Sequence, residues 1–431
     1  MNLRDRQILH IAVPSIASNI TVPLLGLVDV AITGHLGAET YVGAIAVGGM
    51  LFSVICWMFA FLRMGTSGMT AQALGARNLT EVVCILLRAL LVSLLISAVM
   101  LCLQVPVREV ALGIIQPSAE VAAHTRIYFN ICIWGVPATL SLYVLAGWCL
   151  GMQNSKIPMV VAVVQNVANI GMSLALVYGA KMKIEGVALG TVIAQYIGLG
   201  VALLLLALNY LRLSKYLRWR CIVTRDALLC FFFLNKDIFL RTCCLILVHF
   251  FFIAAGARQG DTELAVNTML MQLFMLYSYI MDGFAFAGEA MVGKAIGGRM
   301  RSIYDDTVRR LFRWGWMVAA AFTLAYCVGG KQFLSLLTDD VAVVEAAGVY
   351  RYWTLLFPLC GMAAFIWDGV CIGATATKGM LLSMVSGMAV FFVLYVTLVP
   401  VWGNHGLWLA FIMYLATRGM VQWGLRNRIW R

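Results

Sequence analysis

Apolar runs of roughly 20 residues recur along the whole sequence, separated by short polar segments. A helix of that length crosses the ~30 Å hydrocarbon core of a bilayer and satisfies its own backbone hydrogen bonds there. The composition agrees, since 62% of the residues are hydrophobic and only 12% are charged. A transmembrane barrel would instead show ~10-residue segments of alternating hydrophobicity. The pattern therefore predicts an all-α integral membrane protein.

The apolar runs predict twelve transmembrane helices. They lie near residues 8–33, 41–73, 82–104, 127–150, 158–179, 187–209, 228–255, 264–292, 312–330, 350–372, 379–401 and 406–425. The first run is too long for the apolar region of a signal peptide, so we expect it to remain as the first span. Pro14 and Pro23 lie within it and are expected to prevent an ideal helix.

The distribution of positive charge predicts the orientation in the membrane. With both termini on one side, the loops of that side contain most of the 31 Lys and Arg residues. This bias predicts that both termini of the multi-pass protein lie in the cytoplasm. We expect the membrane to be a prokaryotic inner or plasma membrane. The formal net charge of +12 then reflects topology and contact with anionic lipid rather than nucleic-acid binding.

The sequence repeats itself weakly between its two halves. One constant shift aligns MTAQALGAR (69–77) with MVGKAIGGR (291–299), and also CLGMQNSK (149–156) with CIGATATK (371–378). A slightly shorter shift aligns GVALGTVIA (186–194) more weakly with GLWLAFIMY (406–414). Because each half has an even number of spans, six, both halves have the same orientation in the membrane. They are therefore parallel repeats related by an axis along the membrane normal.

This repeat predicts the domain organisation. We expect an N-terminal lobe of six spans at 1–212, a basic cytoplasmic linker at 213–227, and a C-terminal lobe of six spans at 228–431. Two such lobes are typical of a secondary transporter that moves one half against the other.

Motifs for other chemistry are weak. The twelve cysteines form no CxxC pair and the five histidines have no metal-ligand spacing, so we expect no metal and no cofactor. GEAMVGKA (288–295) is similar to the P-loop motif of nucleotide-binding proteins, but Ala295 occupies the position where that motif needs Ser or Thr to bind Mg²⁺. The sequence therefore predicts a protein that is not an enzyme.

Ionisable residues inside the spans are the main candidates for function, because a charge at mid-bilayer costs ~2.5–3.5 kcal/mol on insertion scales. They include Asp29, Arg63, Arg241, His249, Asp282, Asp368 and Arg418. Asp29 is interpreted as a carboxyl that carries a proton, with a structural inter-helix hydrogen bond or buried ion pair as the alternative. For Asp282 and Asp368 the functional and structural interpretations are equally favoured. His249 is better explained as a packed residue, Arg63 needs a partner, and Arg241 and Arg418 are interpreted as snorkelling towards the interface.

Five segments together resemble the MATE family, the multidrug and toxic compound extrusion transporters, and within it the DinF-like branch. They are VDVAITGHLG (28–37), AQALGAR (71–77), GWCLGMQNSKIPM (147–159), DGFAFAGEAMVGKAIGGR (282–299) and WDGVCIGATATKGM (367–380). The resemblance implies twelve helices in two six-helix lobes related by pseudo-two-fold symmetry. It also implies secondary active efflux of cationic or amphipathic organic compounds in exchange for H⁺ or Na⁺.

The resemblance also implies a coupling site in the N-terminal lobe. Asp29 matches the family's Asp of the first helix, while Asn169 and Thr191 match its polar residues of helices five and six. Ser173 stands where many relatives have a second Asp, and Asn166 is a further polar candidate in the same segment. The missing carboxylate weakens the case for Na⁺, which favours H⁺. A second candidate set, for C-lobe coupling or substrate binding, contains Asp368, Asp282, His249 and Arg63.

Two alternatives remain open. A lipid-linked precursor flippase of a related superfamily branch would need a cavity rich in Arg and Lys, and Arg63 alone is a clear mid-span base. A membrane enzyme would need a catalytic constellation. The expected partners are organic cations or amphipathic drugs, H⁺ or Na⁺, and membrane lipid, with the protein a monomer and no nucleic acid bound.

Overall fold

The computed structural model describes residues 3–34, 39–218, 224–335 and 341–430. Within those ranges it leaves out the side chains of residues 22–31, 33, 34, 39, 331, 341 and 342. Across the described ranges the secondary structure is helical and contains no strand.

The described residues form sixteen α-helices. They are α1 (Leu3–Gly34), α2 (Glu39–Met58), α3 (Phe61–Gly75), α4 (Leu79–Cys102), α5 (Gln104–Ile115), α6 (Ala119–Cys132), α7 (Val136–Gly151), α8 (Lys156–Leu174), α9 (Ile184–Tyr210), α10 (Arg225–Ala257), α11 (Asp261–Gly297), α12 (Arg301–Ser335), α13 (Val341–Gly373), α14 (Thr377–Trp402), α15 (Asn404–Gly424) and α16 (Arg426–Ile429). A 3₁₀ turn joins α6 to α7, a π-helical turn (Ala175–Gly179) follows α8, and a 3₁₀ segment (Leu211–Tyr216) follows α9.

The helices coincide with the predicted spans, which confirms the all-α membrane class. In the part of the chain that the structure describes, ten helical stretches are long and apolar enough to cross a membrane. Helices α1 and α15 coincide with the first and twelfth predicted spans. The second span consists of α2 and α3, and the fourth of α6 and α7. The short helix α5 was not predicted, because its 12 residues are too few to span a bilayer.

Helix α1 continues through both of its prolines. The backbone is helical from Leu3 to Gly34, so neither Pro14 nor Pro23 ends the helix. Each proline removes one backbone hydrogen bond. In a bilayer the alternative, an irregular segment with several unpaired backbone groups, costs more, so transmembrane helices tolerate proline.

The chain divides into two compact units. One contains Ala17–Phe232, and the other contains Met1–Ile16 together with Phe233–Arg431. Helices α1 and α10 each pass from one unit into the other.

The unit Ala17–Phe232 is packed around helices α4 and α7. Phe129, Leu140 and Trp148 are almost completely buried in its core. The Trp148 indole donates a hydrogen bond of 2.9 Å to the carbonyl oxygen of Val82, which fixes α7 against α4. Burying the only polar atom of the tryptophan side chain in this way allows the large ring to fill the core without an unpaired donor.

The other unit has an aromatic core. Phe252, Tyr277 and Phe357 are fully buried. The Tyr277 hydroxyl donates a hydrogen bond of 2.8 Å to the Pro358 carbonyl oxygen, and the Tyr326 hydroxyl donates one of 2.8 Å to that of Leu273. These bonds join α11 to α13 and α12 to α11, so the phenol groups are paired although they are buried.

The sequence repeat is visible in the turns that end helices. Arg77 and Arg299, which the repeat aligns with each other, both adopt the left-handed conformation with φ of 57° and 54°. Gln153 and Thr375, aligned by the same shift, have φ of 62° and 53°. A left-handed residue after the end of a helix turns the chain back, so that backbone N–H groups bond the carbonyl oxygens of the last helical turn. The two units therefore use the same helix ends at the same places in the repeat.

A close helix contact repeats in the same way. A Cβ atom added at Gly147 would lie 2.3 Å from the carbonyl oxygen of Arg63, and one added at Gly369 would lie 2.2 Å from that of Ala285. The repeat aligns Gly147 with Gly369, and it aligns Arg63 with Ala285. Helix α7 thus packs on α3 as α13 packs on α11, and glycine is needed for both approaches.

Candidate functional site

One face of helix α8 carries a row of polar side chains. Asn166, Asn169 and Ser173 are spaced three and four residues apart, which places them along one side of an α-helix. The π-helical turn Ala175–Gly179 begins two residues beyond Ser173. Single π-helical turns are frequent at functional sites. The sequence signal for this face is the helical spacing of polar residues in an apolar span.

Asn169 joins α8 to α9. Its side-chain amide donates a hydrogen bond of 2.9 Å to the Thr191 hydroxyl, which itself donates one of 3.0 Å to the Val187 carbonyl oxygen. Asn169 is 1% exposed. The structure thus brings together the two residues that the family resemblance pairs.

Ser173 lies one turn further along the same face and is fully buried. A Cβ atom added at Gly190 would come within 2.6 Å of the Ser173 hydroxyl oxygen, so glycine at 190 leaves the space that this hydroxyl occupies. Among the described residues, the Ser173 hydroxyl and the Asn169 carbonyl oxygen have no hydrogen-bond partner. Leaving buried polar groups unpaired costs ~1–3 kcal/mol each, so two such atoms one turn apart are suited to receive a further group.

Asn166 connects this face to the first helix. Its side-chain amide donates a hydrogen bond of 3.2 Å to the Thr21 carbonyl oxygen in α1. Asp29 belongs to the same helix, eight residues further on. Its side chain lies outside the described residues, so the structure gives the helix that carries Asp29 and not the position of its carboxyl group.

Asp368 is the centre of a buried ion cluster in the other unit. Its carboxylate accepts hydrogen bonds from Arg241, from Arg418 at 2.6 Å and from the Gln422 amide at 2.6 Å. The interpretation of Arg241 and Arg418 as snorkelling residues is wrong, because both guanidinium groups are buried against Asp368. Pairing within the fold satisfies the charges more completely than a partial reach to the interface. The cluster links helices α10, α13 and α15.

The remaining predicted residues lie apart from that cluster. Asp282 in α11 and His249 in α10 are half-buried, and neither is among the hydrogen-bond partners of Asp368 in the described part of the chain. Arg63 lies near the start of α3, in the unit Ala17–Phe232, where its backbone carbonyl faces Gly147.

Two buried polar groupings were missed in the sequence. The side-chain amides of Asn267 and Asn404 bond each other reciprocally at 2.8 and 2.9 Å, and the Trp408 indole also donates to Asn267. The Thr377 hydroxyl donates a hydrogen bond of 3.1 Å to Asp237. Asparagine and threonine are too common at helix ends to mark these contacts, and pairing between residues so far apart in sequence leaves no local pattern.

A third grouping ties the N-terminus to α12 within the same unit. Asp5 accepts hydrogen bonds from Arg310 and Arg313, each at 2.8 Å, and from the Trp314 indole. Burial acts to raise the pKa of Asp5, but the hydrogen bonds from Arg313, Trp314 and Arg310 together lower this pKa below its ordinary value of 3.8. Asp306 bonds Arg310 at 2.9 Å and also Arg4, and the pKa of its carboxyl is lowered by these partners.

Within the described ranges, no group of three or more His, Cys, Asp or Glu side chains is arranged to hold a metal ion.

The MatE family model matches residues 14–175 and 238–397. The chain belongs to the MatE family, and is therefore a MATE-type membrane transporter. It is 38% identical to DNA damage-inducible protein F of Escherichia coli K12, over 99% of this chain and 93% of that protein. It is 25% identical to the probable multidrug resistance protein NorM of Xanthomonas axonopodis pv. citri, over 97% of this chain and 92% of that protein.

A solved structure has the same fold. The crystal structure of a mutant of the Vibrio cholerae MATE transporter VcmN is similar with a TM-score of 0.86, covering 99% of this chain and 98% of that one at 16% identity. The all-α MATE fold predicted from the sequence is thereby confirmed, and so is the resemblance to the DinF-like branch.

Proposed function

We propose that the protein is a secondary active multidrug exporter that moves cationic or amphipathic organic compounds out of the cell in exchange for H⁺. In this proposal it is a monomer in the inner or plasma membrane of a prokaryote, with both termini in the cytoplasm. Family membership supports the transport role. The observation that supports the site of ion coupling is the polar face of α8, with two buried oxygen atoms that have no partner among the described residues.

The proton carrier in this proposal is Asp29. Spans one and five run in the same direction through the membrane, since both are odd-numbered. The hydrogen bond from Asn166 in α8 to Thr21 in α1 shows that these two residues lie at the same depth in the membrane. Asp29 is eight residues beyond Thr21, ~12 Å along α1, and Ser173 is seven residues beyond Asn166, ~10.5 Å along α8. By this count the Cα of Asp29 lies at about the same depth in the membrane as Ser173.

The same two oxygens favour H⁺ over Na⁺. A protonated carboxyl group donates one hydrogen bond, and the Asn169 carbonyl oxygen or the Ser173 hydroxyl can accept it. Hard metal cations instead need several oxygen ligands, and their affinity rises with the number of charged ligands. Asp29 is the single carboxylate among the candidate residues of this site, so the charge count is low for a cation site.

Coupling requires that the proton and the substrate prefer different conformations. A ligand shifts a conformational equilibrium only by its difference in affinity for the two states. Protonation removes the charge of Asp29 and supplies a donor to the face of α8, so it favours a state in which α1 approaches α8. Deprotonation leaves a charge that organic cations complement.

The Asp368 cluster has a structural role in this proposal. Its carboxylate is already bound by two guanidinium groups and one amide, which cross-link α10, α13 and α15. An ion would have to displace these partners before it reached the carboxylate. The cluster therefore keeps these three helices together while coupling takes place in the unit that contains α8.

The proposal is tested with purified protein in proteoliposomes under separately imposed gradients. A pH gradient alone should drive transport of a fluorescent organic cation, and a Na⁺ gradient at equal pH on both sides should not. Transport that follows the Na⁺ gradient and ignores the pH gradient would overturn the H⁺ assignment. Vesicles without protein, exposed to the same gradients, control for passive accumulation.

A further inference from the structure

One side of helix α11 keeps accessible surface in a span that is otherwise tightly packed. All residues from 281 to 293 are described, and all of them except Asp282 and Phe286 are buried. Towards the start of the helix the accessible side continues through Tyr279, Met275, Gln272 and Thr268. These six residues are spaced alternately three and four apart, so they form one stripe along an α-helix. We call them the α11 stripe.

The packing of the other sides of α11 fixes the direction of the stripe. Tyr277 is fully buried and its hydroxyl bonds the Pro358 carbonyl oxygen. A Cβ atom added at Gly283 would lie 3.0 Å from the Ala12 carbonyl oxygen and closer still to the Ile16 side chain. Helix α11 thus packs directly on the first part of α1, beside Asp282. It cannot rotate this carboxyl group away from the accessible side without breaking these contacts.

The composition of the stripe shows that it faces water. Asp282 lies in the middle third of α11 and is half-buried, and Gln272 and Thr268 are exposed. A surface against lipid tails would be apolar, because a carboxylate in the hydrocarbon core is costly. Ionisable residues in membrane spans therefore face the interior of the protein or a water-filled cavity. The stripe is accessible to dissolved molecules at the depth of Asp282.

Two aromatic side chains lie on either side of the Asp282 carboxyl group. Tyr279 is one turn before it and Phe286 is one turn after it, and both are half-buried. The seven residues between the two rings correspond to ~10.5 Å along the helix. Tyr279 is close enough to Asp282 for an electrostatic interaction between their side chains. Aromatic faces attract cations, so the rings and the carboxylate favour the same sign of charge.

We propose that the α11 stripe is the site that recognises the positive charge of the exported compound, with Asp282 as the counter-ion and Tyr279 and Phe286 against its apolar groups. This inference rests on the proposed export function. The arrangement fits a lipophilic organic cation that has its charge between apolar groups. It does not fit Na⁺, which needs several oxygen ligands, because the two rings that flank the carboxylate supply none.

The test measures binding to the purified full-length protein in detergent by equilibrium dialysis. The probes are tetraphenylphosphonium, a lipophilic cation, and triphenylphosphine oxide, which is similar and neutral. Asp282→Asn should bind the cation at least about tenfold more weakly and the neutral probe unchanged, because only a charge–charge attraction is lost. Asp282→Glu should retain most of the affinity. Asp305→Asn is the control, since it removes an exposed carboxylate paired with Arg301.

Two results would overturn the assignment of Asp282. One is undiminished binding of tetraphenylphosphonium by Asp282→Asn. The other is an equal loss for both probes, which would show that the substitution damages packing and that the carboxylate does not select charge.

A second pair of variants tests the aromatic part of the site. Tyr279→Phe keeps the ring and should bind tetraphenylphosphonium like the original protein. Tyr279→Leu removes the ring and should bind it about threefold more weakly, with a smaller loss for the neutral probe. Equal affinities of these two variants for the cation would mean that the ring makes no contact with it and would overturn this part of the proposal.

Dialysis uses no ion gradient, so its outcome is separate from that of the proposed function. Charge-selective binding that depends on Asp282, without transport under a pH gradient, would support the site and contradict H⁺-coupled export. Transport under a pH gradient together with unchanged binding by Asp282→Asn would leave H⁺-coupled export in place and overturn the site.

Discussion

The amide of Asn169 and the hydroxyl of Thr191 form a hydrogen bond of 2.9 Å that joins α8 to α9 inside a membrane span. This bond uses the donor side of the asparagine and leaves its carbonyl oxygen without a partner among the described residues. Asn169 is therefore held in one orientation with its acceptor presented to the interior of the unit. A protonated carboxyl on α1 would complete the hydrogen bonding of this asparagine.

Asp29→Asn should abolish proton-driven export. Asparagine fills nearly the same volume and keeps hydrogen-bonding capacity, but it cannot titrate. We expect pH-driven transport in proteoliposomes to fall to background while the protein remains folded and monodisperse. Asp29→Glu should retain part of the activity, since a carboxyl group remains. The control is Asp305→Asn, which removes an exposed carboxylate paired with Arg301 at the surface and should transport like the original protein. Full transport by Asp29→Asn would move the coupling elsewhere.

Asn169→Ala should be milder. It removes the unpaired acceptor and the bond to Thr191, but the Thr191 hydroxyl keeps its own bond to Val187. We expect a severalfold lower rate and a shift of the pH midpoint of transport towards lower pH, because the protonated carboxyl loses an acceptor. Measured pH–rate profiles decide this. A variant with a lower rate and an unmoved midpoint would show that Asn169 only supports packing.

Removal of one partner from the Asp368 cluster should destabilise the protein. Asp368→Leu leaves two buried guanidinium groups without their counter-charge, which costs ~3–5 kcal/mol. We expect a large fall in the melting temperature measured by fluorescence-detected size exclusion. The triple variant Asp368→Leu with Arg241→Met and Arg418→Met should recover most of it. A single variant that is as stable as the original protein would contradict the structural role.

The pH dependence of stability should report Asp5. Its pKa is lowered in the folded protein, so its contribution is present at pH above the ordinary 3.8 and is lost as pH falls below that value. Asp5→Asn should therefore lower the melting temperature at pH 6, and the difference should shrink below pH 3.8. Asp305→Asn is the matched control, because its pair with Arg301 is exposed at the surface and should contribute little. A difference that persists unchanged at low pH would exclude the charge as its source.

Gly147→Ala and Gly369→Ala should have equal and unfavourable effects. Each new Cβ would meet a backbone carbonyl of the facing helix at 2.3 or 2.2 Å, and such overpacking costs about 1–3 kcal/mol. Gly348→Ala in α13 has open space around it and should stabilise the helix by ~0.5–1 kcal/mol. Melting temperatures of the three variants provide the comparison. Disruption by only one of the two would mean that the repeated contact differs between the units.

Most of the fold could be predicted because its determinants are local. A bilayer-spanning helix is specified by the length of an apolar run, and the twelve runs fall on helices, the second on α2 and α3 together and the fourth on α6 and α7 together. The repeat could be recognised in the sequence because the aligned glycines end their helices with the same kind of turn. These pairs are Gly75 with Gly297 and Gly151 with Gly373. Helix α5 escaped prediction since it is too short to give a span signal.

The candidate site was less predictable, because its contacts join residues far apart in sequence. Asn169 and Thr191 were paired through the family resemblance, and the structure shows the bond between them. The pairing of Asp368 with Arg241 and Arg418 crosses 127 and 50 residues and has no local signature. A charge inside an apolar span predicts a partner within the fold, and Arg241 obeys this rule although its position favoured snorkelling.

Helix α1 also limits how this protein can be divided into fragments. Its residues 3–16 belong to the unit that contains α12, while the rest of the helix belongs to the other unit. A C-terminal fragment that starts at the connector would lack Asp5 and leave Arg310 and Arg313 without that carboxylate. An N-terminal fragment would carry the first sixteen residues with nothing to pack them. The halves of the repeat are therefore not self-sufficient pieces, and a split transporter would regain its stability only when both fragments are co-expressed.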